Sequence, residues 1–385
     1  MYDRDGIYGI GNEFFEDEIE RHIAFQKAYL NWILDSQKPT IIHCHDHHTG
    51  LIPYMVQYCK VYASLKNIPV IFTIHNGQYH GAFSWDKENL LPQSSSEHKG
   101  LLDWNNSINS LASAIRCAWK INTVSPTYMK ELQESDGYFG DLYKMESEKS
   151  TGVLNGIDYE VWNPTSDSLI HYTLKTSARN FKRKNKEYLI DLFGLKPKVA
   201  LICFIGRFAH EKGVDIMQSA MAKCLEEKMN VNFFILGTGQ KELEISFSKM
   251  NKKYPGRFHA EIKYDEQLAH QIYAGSDFLL MPSRVEPCGL NQMYSMRYGT
   301  IPIVHGVGGL EDSVTNFSDK NGNGIKFYGL NLENVVKAIK QALIIYKNKN
   351  LKTTLINQAM AEDFTWNASC NNYLNIYYEF KKFNQ

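Results

Sequence analysis

Val199-Ala-Leu-Ile-Cys-Phe-Ile205 runs directly into Gly206-Arg-Phe-Ala-His-Glu-Lys-Gly213 and then into a helical stretch. A continuous apolar run without alternation reads as a strand covered on both faces, the signature of a parallel sheet between helix layers. The same order recurs along the chain. Further strands are expected at Thr40–His45, Val70–Ile74, Ile121–Val124 and Val153–Leu154, then at Val231–Leu236, Phe258–Ile262, Phe278–Met281 and Ile301–Val304, with helices between them. The class is therefore α/β. In the first expected helix Phe25, Tyr29, Trp32 and Ile33 fall on one face, and near the end Tyr373, Ile376, Tyr377 and Phe380 are spaced for packing.

At 385 residues the chain is long enough for two cores. The break is expected near Asn163-Pro-Thr-Ser-Asp167, giving a first domain over 1–162, joined by a C-terminal helix over 366–385, and a second over 163–365. Lys plus Arg equals Asp plus Glu at 42 each, so no net field draws the chain to nucleic acid or an anionic membrane. The seven cysteines are scattered and odd in number, which suits buried free thiols in a reducing compartment better than a disulfide framework. No apolar run approaches the roughly 20 residues of a membrane span. A soluble, cytoplasmic protein is expected. The chain opens on Tyr2-Asp-Arg-Asp-Gly-Ile-Tyr8 and a helix rather than on a strand and Gly-rich turn, so an upstream portion is expected to be missing.

Polar residues cluster where strands end, which is where open α/β sheets bind ligands. In His43-Cys-His-Asp-His-His48, an extended strand would point His43, His45 and His47 the same way. Metal binding, a structural role and a catalytic role for His48 are all open, although no paired Cys-x-x-Cys or His-x-x-x-His completes a metal set. Arg207 and Lys212 follow a strand and suit a diphosphate, because charge developing on a departing nucleoside diphosphate needs fixed cations; solvated surface charges are the bland alternative. Ser283-Arg-Val-Glu-Pro-Cys-Gly-Leu290 pairs Glu286, an acceptor for a sugar hydroxyl, with free amides at a helix start near Leu290, or is simply a capped helix with a surface carboxylate. Gly306-Val-Gly-Gly-Leu310 offers another close backbone approach, and Gly237-Thr-Gly239 is a weaker one.

Taken in order, these segments resemble the bacterial glycogen synthase and plant starch synthase family. His43-Cys-His-Asp-His-His48 is similar to the family's His-Ala-His-Asp-Trp-His, with His47 where tryptophan is usual. Thr73-Ile-His-Asn76 with Tyr79 and Gly81, Thr123-Val-Ser-Pro-Thr-Tyr128, Gly152-Val-Leu-Asn-Gly-Ile-Asp158 and Trp162-Asn-Pro164 follow in family order, as do the Arg207/Lys212 stretch, Glu286-Pro-Cys-Gly-Leu290, Tyr298-Gly-Thr300 and Gly308-Gly-Leu310.

The resemblance implies a GT-B fold, two Rossmann-like domains facing across a cleft, with the first N-terminally incomplete. It implies retaining transfer of glucose from ADP-glucose, or less readily UDP-glucose, to the nonreducing 4-hydroxyl of an α-1,4-glucan such as glycogen, with no metal or other cofactor. By the same resemblance Arg207 and Lys212 bind the diphosphate, Glu286 holds the glucose, and amides around Cys288, Gly289 and Leu290 contact sugar hydroxyls, with Gly308 and Gly309 close by. His48 would lie beside the reacting carbon from the acceptor-side domain, Tyr264 would stack on the adenine, and Asn76 and Asn155 would line the cleft.

Two departures from the family pattern stand out. No Lys-x-Gly-Gly-Leu segment precedes Tyr2, so that phosphate clamp would come from a separate chain or a different start, or the chain would be an inactive remnant that binds glucan or nucleotide. Related families place a second acidic residue eight positions after the first, where this chain has Tyr294. A related transferase with another donor is a further alternative.

Overall fold

The computed structural model describes residue 4, residues 9–10 and residues 13–380; the opening Tyr2–Tyr8 stretch, Arg4 apart, and the last five residues of the expected C-terminal helix lie outside them. The chain forms two compact units, Met1–Val153 with Cys370–Gln385, and Leu154–Ser369.

The first unit is built on four parallel strands in the order β1 (Ile42–His45), β2 (Val70–Ile74), β3 (Lys120–Thr123), β4 (Ser150–Gly152). β2 is buried along its whole length, which is why its five residues show no polar alternation. The last strand falls at Ser150–Gly152 and not at Val153–Leu154; Val153 instead packs against Ile71, Ile376 and Phe380. A three-stranded antiparallel sheet between Ala82 and Asn109 has strands of two or three residues, too short for any periodicity to announce.

Helix Glu18–Asp35 corrects one expectation. Its buried stripe is Ile23, Gln26, Leu30 and Ile33, while Phe25 and Trp32 lie exposed. Two neighbouring stripes both have helical spacing, and Gln26 holds the inner one because its amide is satisfied there: Leu51 N donates to its Oε1 at 2.9 Å and its Nε2 donates to the His22 carbonyl at 3.1 Å. At the other end of the chain Ile376 and Phe380 are buried as expected, with Tyr373 and Tyr377 packed beside them.

The second unit carries six parallel strands: β5 (Ala200–Ile205), β6 (Val231–Leu236), β7 (Phe258–Glu261), β8 (Phe278–Met281), β9 (Ile301–His305) and β10 (Ile325–Phe327). Their spatial order is β7-β6-β5-β8-β9-β10. The short β10 escapes sequence reading because only three residues pair. The unit begins at Leu154, ahead of the expected 162/163 boundary, because the intervening residues pack inside it. Ile157 bridges to Thr365, the Tyr159 hydroxyl donates to the Glu362 carbonyl, and Trp162 stacks on His270 and Tyr294, each with ring centroids 3.9 Å apart. That stack also gives Tyr294 its place: it covers one face of Trp162 where related families carry an acid. Helix Trp366–Tyr378 begins in this unit, where Ser369 Oγ donates to the Leu154 carbonyl, and its residues from Cys370 belong to the first.

All seven cysteines are free; six are buried and Cys370 is exposed. Among the described residues no helix is long and apolar enough to cross a membrane.

Candidate active site

In the second unit the strand order reverses between β5 and β8, so the loops leaving their carboxyl ends diverge and open a crevice. The loop 206–213 leaves β5 and the loop 282–290 leaves β8. They are held together by backbone: Arg284 N donates to the Glu211 carbonyl at 2.8 Å. Gly213, at φ +66°, lies so near that a Cβ there would meet the Pro282 oxygen at 1.8 Å, so no other residue fits that turn. Asn291, at the start of the helix Asn291–Arg297, donates from Nδ2 to the Ile205 carbonyl, tying the second loop back to β5.

Lys212 and Glu286 meet at this point. Lys212 Nζ donates to both carboxylate oxygens, at 2.8 Å to Oε1 and 2.7 Å to Oε2, and Ser283 Oγ adds a third bond to Oε2 at 3.0 Å. The Glu286 side chain is only 7% exposed, and that lysine is its paired counter-charge. Arg207, expected to act with Lys212 on one diphosphate, stands on the same 206–213 loop, and the two cations hold different carboxylates. Arg207 is 67% exposed and bonds Glu211 at 2.9 Å. Ser283 and Asn291 were not singled out from sequence, since a serine and an asparagine near a helix start look like ordinary caps.

The backbone after Glu286 is equally crowded. Gly289 has φ +70°, and a Cβ on Gly309 would lie 2.0 Å from the Cys288 oxygen, so the 286–290 and 306–310 loops touch through glycine. Gly309 N already donates to the Glu286 carbonyl at 3.0 Å, so this amide holds the carboxylate's own backbone and is not free for a ligand. Gly308 begins the helix Gly308–Ser313, and Leu290 is the N-cap of Asn291–Arg297. Cys288 is buried, which pushes its thiol up to about 12, and its sulfur bonds the Asn155 backbone, placing Asn155 beside this loop. Tyr264 follows β7 at the same end of the sheet and is 88% exposed, an open aromatic face.

In the first unit His48 and Asn76 also occupy carboxyl ends, after β1 and β2. The three alternate histidines do not share a face. β1 ends at His45, Asp46 turns with φ +55°, and His47–Thr49 form a 3-10 turn. Asp46 is held in this uncommon conformation because its Oδ1 accepts from His75 N at 2.8 Å while its own N donates to Thr73 O at 2.9 Å.

The histidines therefore divide into two groups. His43 is structural: it bonds Thr73 Oγ1 at 2.7 Å and the Tyr377 hydroxyl at 2.8 Å, stacks on His45, and is held neutral by burial, down to about 3. His47 and His48 lie with ring centroids 3.9 Å apart, and His22 stands 4.7 Å from His48. Burial lowers His48 below the usual histidine range, opposed in part by the charges of Asp46 and Glu18. Asn76 accepts from Gln78 N at 3.0 Å in a local turn. Asp46, which sets the direction of the whole turn, was missed as a functional residue because nothing in a sequence marks a non-glycine positive φ.

The fold and this arrangement of strand-end groups define a GT-B glycosyltransferase. Residues 1–146 match the family model described as starch synthase catalytic domain, and residues 178–360 match glycosyl transferases group 1. The chain is 45% identical to the glycogen synthase of Flavobacterium johnsoniae over 382 residues, 98% of this chain and 79% of that protein. It is 37% identical to the glycogen synthase of Lactococcus lactis over 393 residues, 98% of this chain and 80% of that one. Among solved structures it matches the catalytic domain of starch synthase IV from Arabidopsis thaliana bound to ADP and acarbose, with a TM-score of 0.83 and 30% identity over 96% of this chain and 78% of that one. The chain belongs to the glycogen synthase family of glucosyltransferases.

Proposed function

We propose that the chain transfers glucose from ADP-glucose, with retention, to the nonreducing 4-hydroxyl of an α-1,4-glucan. The observation that carries this reading is the Lys212–Glu286 pair at the switch point, a cation and an acceptor already joined where a sugar diphosphate would lie. In this reading Lys212 and Arg207 neutralise charge on the departing diphosphate, the task a metal performs in other transferases, so turnover needs no metal or other cofactor. Glu286 accepts from a glucose hydroxyl, and the Cys288, Gly289 and Leu290 backbone with Asn155 and Gly308 shapes the sugar pocket; Gly309 acts by holding Glu286 in place. His48, neutral near pH 7 and able both to donate and to accept, and Asn76 serve the acceptor side. The unpaired cysteines suit a cytoplasmic setting. The Arabidopsis relative's ADP and acarbose support both the nucleotide and the glucan assignments.

Purified protein should incorporate labelled glucose from ADP-glucose into glycogen in the presence of EDTA, faster than from UDP-glucose. No incorporation from either donor, or a strict requirement for added metal, would overturn the assignment. Tyr264→Ala should raise KM for ADP-glucose by roughly 5- to 150-fold, since base–aromatic stacking contributes about 1–3 kcal/mol, and should leave kcat nearly unchanged. A matching fall in kcat would remove Tyr264 from the adenine site.

A further inference from the structure

Glu18 and His22 stand one turn apart on helix Glu18–Asp35 and so project from one face, and the 3-10 turn after Asp46 brings His47 against that face. One ligand atom from each of the three lies within 4.8 Å of the others. We propose that Glu18, His22 and His47 form a binding site for a divalent transition cation of borderline softness, Zn²⁺ by class, separate from the sugar-transfer chemistry.

The donor set is two imidazoles and one carboxylate. That combination suits Zn²⁺ and its neighbours and is poor for Mg²⁺ or Ca²⁺, which prefer oxygen throughout. Tetrahedral ligands at Zn distances stand about 3.4 Å apart, so small rotations of the two side chains on the helix close the site.

A second observation points the same way. His47 is 8% exposed, yet its Nδ1 is buried with no hydrogen-bond partner. Buried polar atoms in native proteins are nearly always satisfied, and an ion would satisfy this one. The ring is also pinned: a Cβ on Gly81, which sits at φ +60°, would lie 2.8 Å from His47 Cδ2, so the glycine backbone presses on it. Glu18 takes part in no ion pair among the described residues, whereas its neighbours Asp17 and Glu20 are committed to Arg4 and Lys87. Bound there, the ion would staple the helix to the turn that carries His48, whose ring packs on both histidines.

The test is a titration of chelator-stripped full-length protein with Zn²⁺ against a chromophoric competing chelator, with Co²⁺ absorption as a second readout. The expected result is one tightly bound equivalent, a visible tetrahedral Co²⁺ band, and no competition from excess Mg²⁺. Glu18→Gln and His22→Gln, changes at the less buried positions that leave His47 itself unsubstituted, should each weaken binding about tenfold or more and abolish the band. Stoichiometric binding that survives His22→Gln, displacement by Mg²⁺, or no bound equivalent in the unsubstituted protein would each dispose of the site.

Discussion

Lys212→Ala is expected to lower kcat/KM for transfer from ADP-glucose to glycogen by roughly 10³-fold, about 4 kcal/mol of transition-state stabilisation. Two losses combine. The cation that faces the departing diphosphate disappears, and Glu286, whose side chain is 7% exposed, keeps only Ser283 as its side-chain partner. A buried carboxylate without its counter-charge either moves toward water or draws it in, and in both cases ceases to be a fixed acceptor for a sugar hydroxyl. Glu286→Ala should cost a similar factor, because Lys212 then loses both bonds that orient it. The double variant should be little worse than either single one, since the two side chains act as one unit. Steady-state kinetics on the three proteins decides it: effects that multiply, or a Lys212→Ala enzyme within about tenfold of the parent, would show that the pair is a scaffold contact outside the chemistry. Arg207→Ala should be milder, because its guanidinium is exposed and already satisfied by Glu211.

Asp277→Asn is expected to destabilise the second unit by about 3–5 kcal/mol, the usual cost of removing one partner from a buried ion pair. Asp277 is 3% exposed and accepts from Lys186 and Lys352, which come from the helices Ala178–Leu192 and Lys349–Ala361, and from Leu201 N at 2.8 Å. It therefore clamps two helices to the beginning of β5. Asparagine keeps the shape and can still accept from Leu201, so the loss isolates the charge. For a unit of this size the thermal midpoint should fall by roughly 6–20 °C.

The pH dependence has a definite sign. Burial alone would raise the Asp277 carboxyl, but the two lysines outweigh it and hold it well below the usual carboxylate range. A depressed folded-state value means that the stabilisation is complete above about pH 5 and drains away as the pH falls below the ordinary aspartate value of about 3.9. The parent should thus lose stability in acid more steeply than Asp277→Asn. Calorimetry at neutral and acid pH tests both statements; a midpoint shift under about 2 °C at pH 7 would refute the clamp.

The most legible strands were short apolar runs with both faces covered, as β2, β6 and β8 are throughout their length, whereas β4, Ser150–Gly152, has no apolar run and was placed too late. β10 and the antiparallel strands near Ala82 were not legible, because two or three residues carry no period. The helix face was misread for a related reason: Phe25 and Trp32 are more apolar than Gln26, and only the acceptor and donor supplied by Leu51 and His22 make the glutamine the better interior residue.

In the candidate site, sequence by itself determined which side chains stand at the ends of which strands: Arg207 and Lys212 after β5, Glu286 after β8, His48 after β1. A strand end is a local property, written in where an apolar run stops. Tertiary structure alone decided that Lys212 and not Arg207 takes Glu286, that Gly309's amide holds the Glu286 backbone, and that His47 leaves the line of His43 and His45 to join His22. Partners far apart in the chain meet only through strand order and through a backbone turn at Asp46 with φ +55°. Neither is encoded by the residues that meet, because which of several opposite charges pairs with a given one depends on the distance between their backbones, and that distance is set by everything packed beneath them.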